Sequence, residues 1–322
     1  MSARAPRAGD VAFLSYRTVE GGVRAGLVGA DDVVHDLARA TGRPDFAGLG
    51  AAIERWDEAL PLARRAAAAP TGASRVGTLG EVALVAPLPA PGAIFCAAAN
   101  YRDHMLAMAR KLGLEPEPDP KSANVTPYHF VKPSRQTISG PGEPVALPGH
   151  AGNVDWEVEL VAVIGRAAKD VDAADALAHV AGWTVGNDLS VRDRRHMKRP
   201  NVPDGSLFRT DFLAMKGFDG SCPTGPWIVP ADAVRDPQDL RLGLDVDGET
   251  RQDSSTASMV FTVAEQIAYL STLCTLHPGD LVLTGTPAGT GAESDTFLAA
   301  GQTVTAWVEG IGELVTPIRP AS

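Results

Sequence analysis

Two acidic residues on an apolar run constrain this chain more than any other feature. Residues 156–164 read WEVELVAVI, rich in Val, Leu and Ile, and predict a β-strand. Side chains at i and i+2 of a strand share a face, so Glu157 and Glu159 project together while Val158 points the other way. Val161 and Val163 continue the carboxylate face and read as core. A third acid, Asp188, closes the apolar stretch 181–187, itself a predicted strand. Like charges on a mostly apolar strand are unfavourable unless something positive sits between them. A divalent cation held by oxygen ligands would meet that need.

The remaining pattern surrounds these acids mostly with strands. Residues 11–37 alternate in short pieces and predict an antiparallel meander, with turns at Glu20-Gly21-Gly22 and Gly29-Ala30-Asp31-Asp32. Residues 49–69, rich in Ala and Arg, predict one or two helices. Residues 82–91 predict a strand running into a proline linker, which places a boundary near Leu88. The expected organisation is a small N-terminal α+β domain at 1–88 and a larger domain at 89–322. In the latter, strands are expected at 94–100, 128–134, 240–246, 281–285, 302–308 and 312–318. Asp247-Gly248 marks a hairpin turn, and helices are expected at 105–112, 175–181 and 258–275. The fold class is mixed α/β, mostly β.

Several other residues carry candidate chemistry. His104 follows an apolar strand and opens a helix, a position that suits either chemistry at a strand end or a capping, structural role. Lys132 reads as a surface lysine or an anion contact. Lys216, in an apolar context before Gly217, is either desolvated or snorkels to the surface. Arg192 lies four residues past Asp188, and a helical turn through 192–195 would return it to the same side, able to hold a carboxylate. Residues 113–127 alternate acids with prolines, which excludes helix and predicts a solvated loop or a lid. The loop 286–291 (TPAGTG) offers backbone N–H groups to an anion.

Composition narrows the function classes. A net charge of −10 and a pI near 5.2 argue against a nucleic-acid partner. Three cysteines without metal spacing (Cys96, Cys222 and Cys274) fit free thiols in a reducing compartment. The first residues, MSARAPRAGD, lack the apolar core of a signal peptide, and no apolar run reaches membrane-spanning length. The expectation is a cytoplasmic protein without a membrane partner.

Taken in order, NYRDH, WEVEL, GNDLSVRD, MKGFD followed by SCP, GDLVLTGTPAGTG and VEGIGELVTPI resemble the fumarylacetoacetate hydrolase family over about residues 92–318. The resemblance implies a β-roll catalytic domain with a smaller N-terminal domain, and a homodimer. It implies Mg²⁺, with Mn²⁺ or Ca²⁺ as alternatives, on Glu157, Glu159 and Asp188. His104 then matches a base that activates water, and Lys216 a lysine that stabilises developing negative charge. Arg192 and Thr286 match contacts to substrate oxygens, and Lys132 a lysine near the site. The implied activity is hydrolysis of a carbon–carbon bond in a ketonic substrate, an acylpyruvate or related diketo acid from the catabolism of aromatic compounds or sugar acids. The alternative is a 2-oxo acid decarboxylase, isomerase or hydratase using the same metal. Two positions depart from the family pattern. Where many hydrolytic members place Glu three residues after the histidine, this chain has Ala107, and where members often carry Gln it has Arg195. Glu115 or Glu117, from the acidic loop, is a candidate substitute for the missing acid.

Overall fold

The acidic segment folds as the strand Val158–Ile164, buried along its whole length. A computed structural model describes residues 11–193, 202–203, 206 and 211–321. In the 12-stranded sheet of the described residues, the strand pairs antiparallel with Val180–Asn187 on one side and Leu281–Leu283 on the other. Beyond Leu281–Leu283 come Ile94–Ala98, paired in parallel, and then Tyr128–Lys132 at the edge. In the other direction Val180–Asn187 is followed by Cys222–Pro230 and then by the meander Ala12–Arg17, Val23–Val28, Val33–Asp36 and Arg75–Thr78. A five-stranded sheet orders Glu249–Ser255, Arg241–Val246, Thr303–Val308, Gly312–Arg319 and Val145–Ala146. The architecture is mixed and mostly β.

Both faces of the acidic strand are covered, which explains its near-continuous apolar sequence. Val158, Leu160, Ala162 and Ile164 pack into a core shared with Leu242, Leu244, Val304 and Ala306 of the five-stranded sheet. Val161 and Val163 point into a second core with Phe13, Ile53, Trp56, Ile228 and Leu283. Residues 49–69 form two helices, Leu49–Ile53 and Trp56–Ala68, and the latter places Trp56 against Phe13 with ring centroids 4.6 Å apart. Sheet and core both run across residue 88, because Phe13 pairs with Ile228.

Several elements differ from the sequence expectation for local reasons. The helix at 258–275 is shorter, Val263–Leu273, because Thr262 and Glu265 form a reciprocal capping box that fixes its start. The expected strand at 82–91 keeps only Leu84–Val85, since the prolines that follow cannot donate to a ladder. The helix at 175–181 is Ala173–Ala176 followed by a 3₁₀ turn at Leu177–His179. The helix after His104's strand starts earlier than expected, spanning Arg102–Leu112, and ends at Gly113 in the left-handed conformation. No helix among the described residues is long and apolar enough to cross a membrane.

Candidate active site and metal centre

Glu157, Glu159 and Asp188 converge. All three are buried, and one carboxylate oxygen from each lies within 4.8 Å of the others. The convergence follows from strand register. Val158 faces Asn187, the Asp188 N–H donates to the Glu157 carbonyl at 2.9 Å, and Asn187 Oδ1 accepts from the Glu157 N–H at 2.9 Å. Alternation along one strand and the end of its neighbour thus aim three acids at one point.

Basic groups surround this point. Lys132, fully buried, donates to Asp188 Oδ1 and to the carbonyls of Ser221 (2.9 Å) and Leu189 (3.2 Å). The surface position considered for it is therefore excluded; the edge strand carries it inward beneath the acids. Lys216 bridges Glu157 Oε2, at 2.8 Å, and Asp188 Oδ2. It is desolvated, as one of the two sequence readings had it. Burial alone would lower its ammonium pKa, but Asp188 and Glu157 outweigh that and raise it.

Arg192 does not continue a helix from Asp188. Ser190–Val191 instead pairs with Val154–Asp155, and Arg192 follows that short strand, its guanidinium on Glu157 and, at 3.2 Å, on Asp155. The extended backbone rather than a helical turn brings it back to the acids. Arg195 lies outside the described residues.

The three acids are not electrostatically alike. Burial pushes Glu157 up, but Lys216 and Arg192 outweigh it and hold the carboxyl at about 2. Burial, then Asp188, then Glu157 push Glu159 well above the ordinary range. Its Oε2 accepts the Gly285 N–H at 2.6 Å, while its Oε1 is buried and finds no hydrogen-bond partner among the described residues. An orphaned carboxylate oxygen facing two further acids fits a hard divalent cation, which asks for oxygen ligands and negative charge. Glu157, Glu159 and Asp188 could hold one.

The loop after Leu281–Leu283 supplies N–H groups to carboxylates, as its sequence allowed, but the anions shown belong to the protein. Gly285 serves Glu159, Gly289 serves Glu293 (2.8 Å), and Gly291 and Ala292 serve Asp155. Gly285 and Gly289 both have φ of +98°, and a Cβ on Gly289 would sit 2.0 Å from the Arg251 carbonyl oxygen, so glycine is required there. Thr286 is buried beside this loop, and its hydroxyl accepts from Gln252 Nε2 at 2.9 Å. Gln252 Oε1 in turn accepts the Val158 N–H at 3.0 Å, tying the two sheets together between Glu157 and Glu159. Nothing in the polar run ETRQDSS distinguishes Gln252 as a support of the site.

His104 stands at the start of the Arg102–Leu112 helix. Its Nδ1 lies 2.6 Å from Oε1 of Glu293, 189 residues further along the chain. A carboxylate, which Ala107 cannot provide, thus contacts the imidazole. Glu115 and Glu117 line a cavity that includes His104, but the acid in contact with the imidazole is Glu293. Asp103 braces the turn, accepting from Ser254 Oγ at 2.6 Å and from the His104 N–H at 2.8 Å. Glu293 follows Ala292, whose N–H serves Asp155, so the segment that meets His104 also meets the Arg192–Asp155 side of the cluster. Cys96 and Cys222 are free and buried, and Cys274 is free and exposed.

Comparison with known proteins gives consistent relatives. Residues 93–319 match the model of the fumarylacetoacetate (FAA) hydrolase C-terminal domain. The chain is 38% identical over 271 residues to the human mitochondrial oxaloacetate tautomerase FAHD2B, covering 83% of this chain and 78% of that protein. Among solved structures it resembles maleylpyruvate hydrolase from Sphingobium sp. SYK-6 in complex with manganese(II) and pyruvate. There the identity is 29%, the TM-score 0.71, and the match covers 96% of this chain and 100% of that one. It also resembles 5-carboxymethyl-2-hydroxymuconate delta-isomerase from Mycobacterium smegmatis, at 31% identity and TM-score 0.67 over 97% of this chain and 99% of that one.

Proposed function

Because the chain belongs to the fumarylacetoacetate hydrolase family, we propose that it is a metal-dependent hydrolase that cleaves a carbon–carbon bond in an acylpyruvate or related diketo acid. The observation that carries this reading is the 2.6 Å contact between His104 Nδ1 and Glu293 Oε1, on the segment whose Ala292 N–H serves Asp155. Hydrolysis needs a base that takes a proton from water, and a histidine needs a partner to fix its ring and tautomer. With Glu293 accepting at Nδ1, Nε2 is the proton-accepting atom.

The residues then divide the work. Glu157, Glu159 and Asp188 would hold Mg²⁺ or Mn²⁺, which supplies Lewis-acid polarisation of the substrate's carbonyl oxygens. His104 takes a proton from water as its oxygen adds to the acyl carbonyl. The bond to the pyruvate carbon then breaks, and the electron pair leaves with pyruvate as its enolate. Lys216 lies where that negative charge develops, and Thr286 and Arg192 orient substrate oxygens. Lys132, locked beneath Asp188, keeps that acid aimed inward. The reprotonated enolate and the released carboxylic acid balance the reaction.

A second reading has its own support. The similarity to the human tautomerase and to an isomerase fits a proton shuttle between carbon and oxygen, which the His104–Glu293 pair performs without consuming water. Incubation with acylpyruvates and, separately, with oxaloacetate, with and without Mg²⁺ or Mn²⁺, distinguishes the two by NMR. Metal-dependent release of pyruvate plus a carboxylic acid is the expected result. Faster keto–enol exchange of oxaloacetate with no bond cleavage in any acylpyruvate would replace hydrolase by tautomerase. The homodimer implied by the family resemblance is likewise a proposal, tested by analytical sedimentation.

A further inference from the structure

The Arg102–Leu112 helix has an apolar stripe at Met105, Met108, Ala109 and Leu112, the i, i+3, i+4, i+7 spacing of a core-facing helix. None of its residues is buried. A stripe of this kind that covers no core leaves apolar surface without an occupant. Here the stripe lines a cavity of about 200 Å³ together with Leu114, on the loop that follows the helix. His104 lines the same cavity, so the stripe is continuous with the proton-transfer pair. The remaining charged side chains of its lining are Glu115 and Glu117, and among the described residues no lysine or arginine lines it. Lys111, on the same helix, is paired with Asp295.

We propose that this cavity receives the substrate's tail, and that it selects 2-oxo or diketo acids ending in an alkyl or aryl group over those ending in a second carboxylate. This rests on the active-site reading above and adds the substrate class to it. The physical argument is one of charge and surface. An apolar tail covers Met105, Met108 and Leu112, and methionine's unbranched thioether adapts to tails of different shape. A terminal carboxylate entering the same space would be desolvated beside Glu115 and Glu117, with no lysine or arginine among the described residues of the lining to meet it. Among the described residues, the basic groups around the acids, Lys132, Lys216 and Arg192, are paired with Asp188, Glu157 and Asp155.

The test is calorimetry on the Mg²⁺-loaded full chain with 2-oxooctanoate and 2-oxooctanedioate. They are matched in length and lack a diketone to cleave, so binding is read without turnover. The monoacid is expected to bind about tenfold more tightly. Combining Glu115→Lys with Glu117→Lys is expected to erase that ratio by tightening the diacid while the monoacid holds. Leu112→Asp is expected to weaken the monoacid about tenfold. Equal affinities in the unmodified protein, or a ratio unmoved by the charge reversal, overturn the proposal. So does a Leu112→Asp variant that dissociates an oligomer without changing either affinity, which would make the stripe an interface between copies. Pyruvate release from matched acylpyruvates, run in parallel, separates the two levels. A binding preference without cleavage sinks hydrolysis and keeps the tail pocket; cleavage without a preference does the reverse.

Discussion

Glu159 is fully buried on a strand covered on both faces, whereas His104 rides on a helix in which no residue is buried. The acids are held redundantly. Asp188 meets both Lys132 and Lys216, Glu157 meets Lys216, Arg192 and, through its N–H, Asn187, and Glu159 meets the Gly285 N–H. The Arg102–Leu112 helix and the loop at 113–127 form a cap held by polar links, among them Lys121 to Glu265, Arg102 to Asp119 and Lys111 to Asp295. Such a division suits a site whose chemistry is common to many substrates and whose selectivity is not. On the proposal above, the 2-oxo acid end would meet a rigid buried cluster, while the variable end would meet an exposed helix and a proline-rich loop that can change without disturbing the core.

The contrast breaks most sharply at Glu159. Glu159→Gln is expected to reduce turnover about a thousandfold and to abolish thermal stabilisation by Mg²⁺ or Mn²⁺. Because burial and the two neighbouring acids already disfavour the ionised form of Glu159, the neutral amide takes nothing from the metal-free protein, and its melting temperature is not expected to fall. A variant that still gains stability on metal addition would show that the ion binds elsewhere.

Glu293→Gln probes the other side. Turnover is expected to drop about a hundredfold, as for loss of an orienting partner of a general base. Metal-dependent stabilisation, read by scanning calorimetry, is expected to survive intact. Loss of activity together with loss of metal binding would erase the distinction between cluster and cap, and unchanged activity would remove Glu293 from the mechanism.

The smallest effect is expected where the cap is tethered. Lys121→Ala exposes no core and is expected to lose at most about 1 kcal/mol, since the pair is more than a third exposed on each side. Its signature is local, as faster amide exchange across residues 113–127. Burial alone would raise the Glu265 carboxyl, but the Lys121 ammonium and the Thr262 N–H and hydroxyl outweigh it and hold it below its usual value. A depressed carboxylate stabilises above its unfolded pKa, about 4.3, and loses that contribution as the pH falls through the lower folded value. Exchange in the loop, corrected for intrinsic rates, should therefore speed up below about pH 4 in the unmodified chain. That extra acceleration is expected to shrink in Lys121→Ala; an equal pH response in both proteins would show that the tether does not hold the loop.

Legibility in the sequence followed the range of the interaction. The three acids were readable because strand alternation is local and the register of two adjacent strands brings Asp188 back to Glu157. Most strands were placed for the same reason. Glu293 was not readable, because it reaches His104 from the one-turn helix Gly291–Ser294, too short to show a periodicity, and only the three-dimensional return of that segment joins them. An acid following a glycine-rich stretch at a strand end was the available signal. Lys132 was ambiguous since an edge strand with exposed Tyr128 and Val131 gives no local indication that one side chain turns inward. Arg192 was placed on a helix because a four-residue spacing suggests one, yet pairing of Ser190–Val191 with Val154–Asp155 decides the backbone there.

The crowd of cations around the acids has one more consequence. Among the described residues, four carboxylates (Asp155, Glu157, Glu159 and Asp188) meet three basic groups (Lys132, Lys216 and Arg192), a formal balance just short of neutrality. A dication entering that balance would tip it to net positive, and a 2-oxo acid, itself an anion, would restore it. Ion and substrate would each strengthen the other's binding by the same factor, as thermodynamic linkage demands. The enzyme would then hold its metal loosely between turnovers and firmly during them.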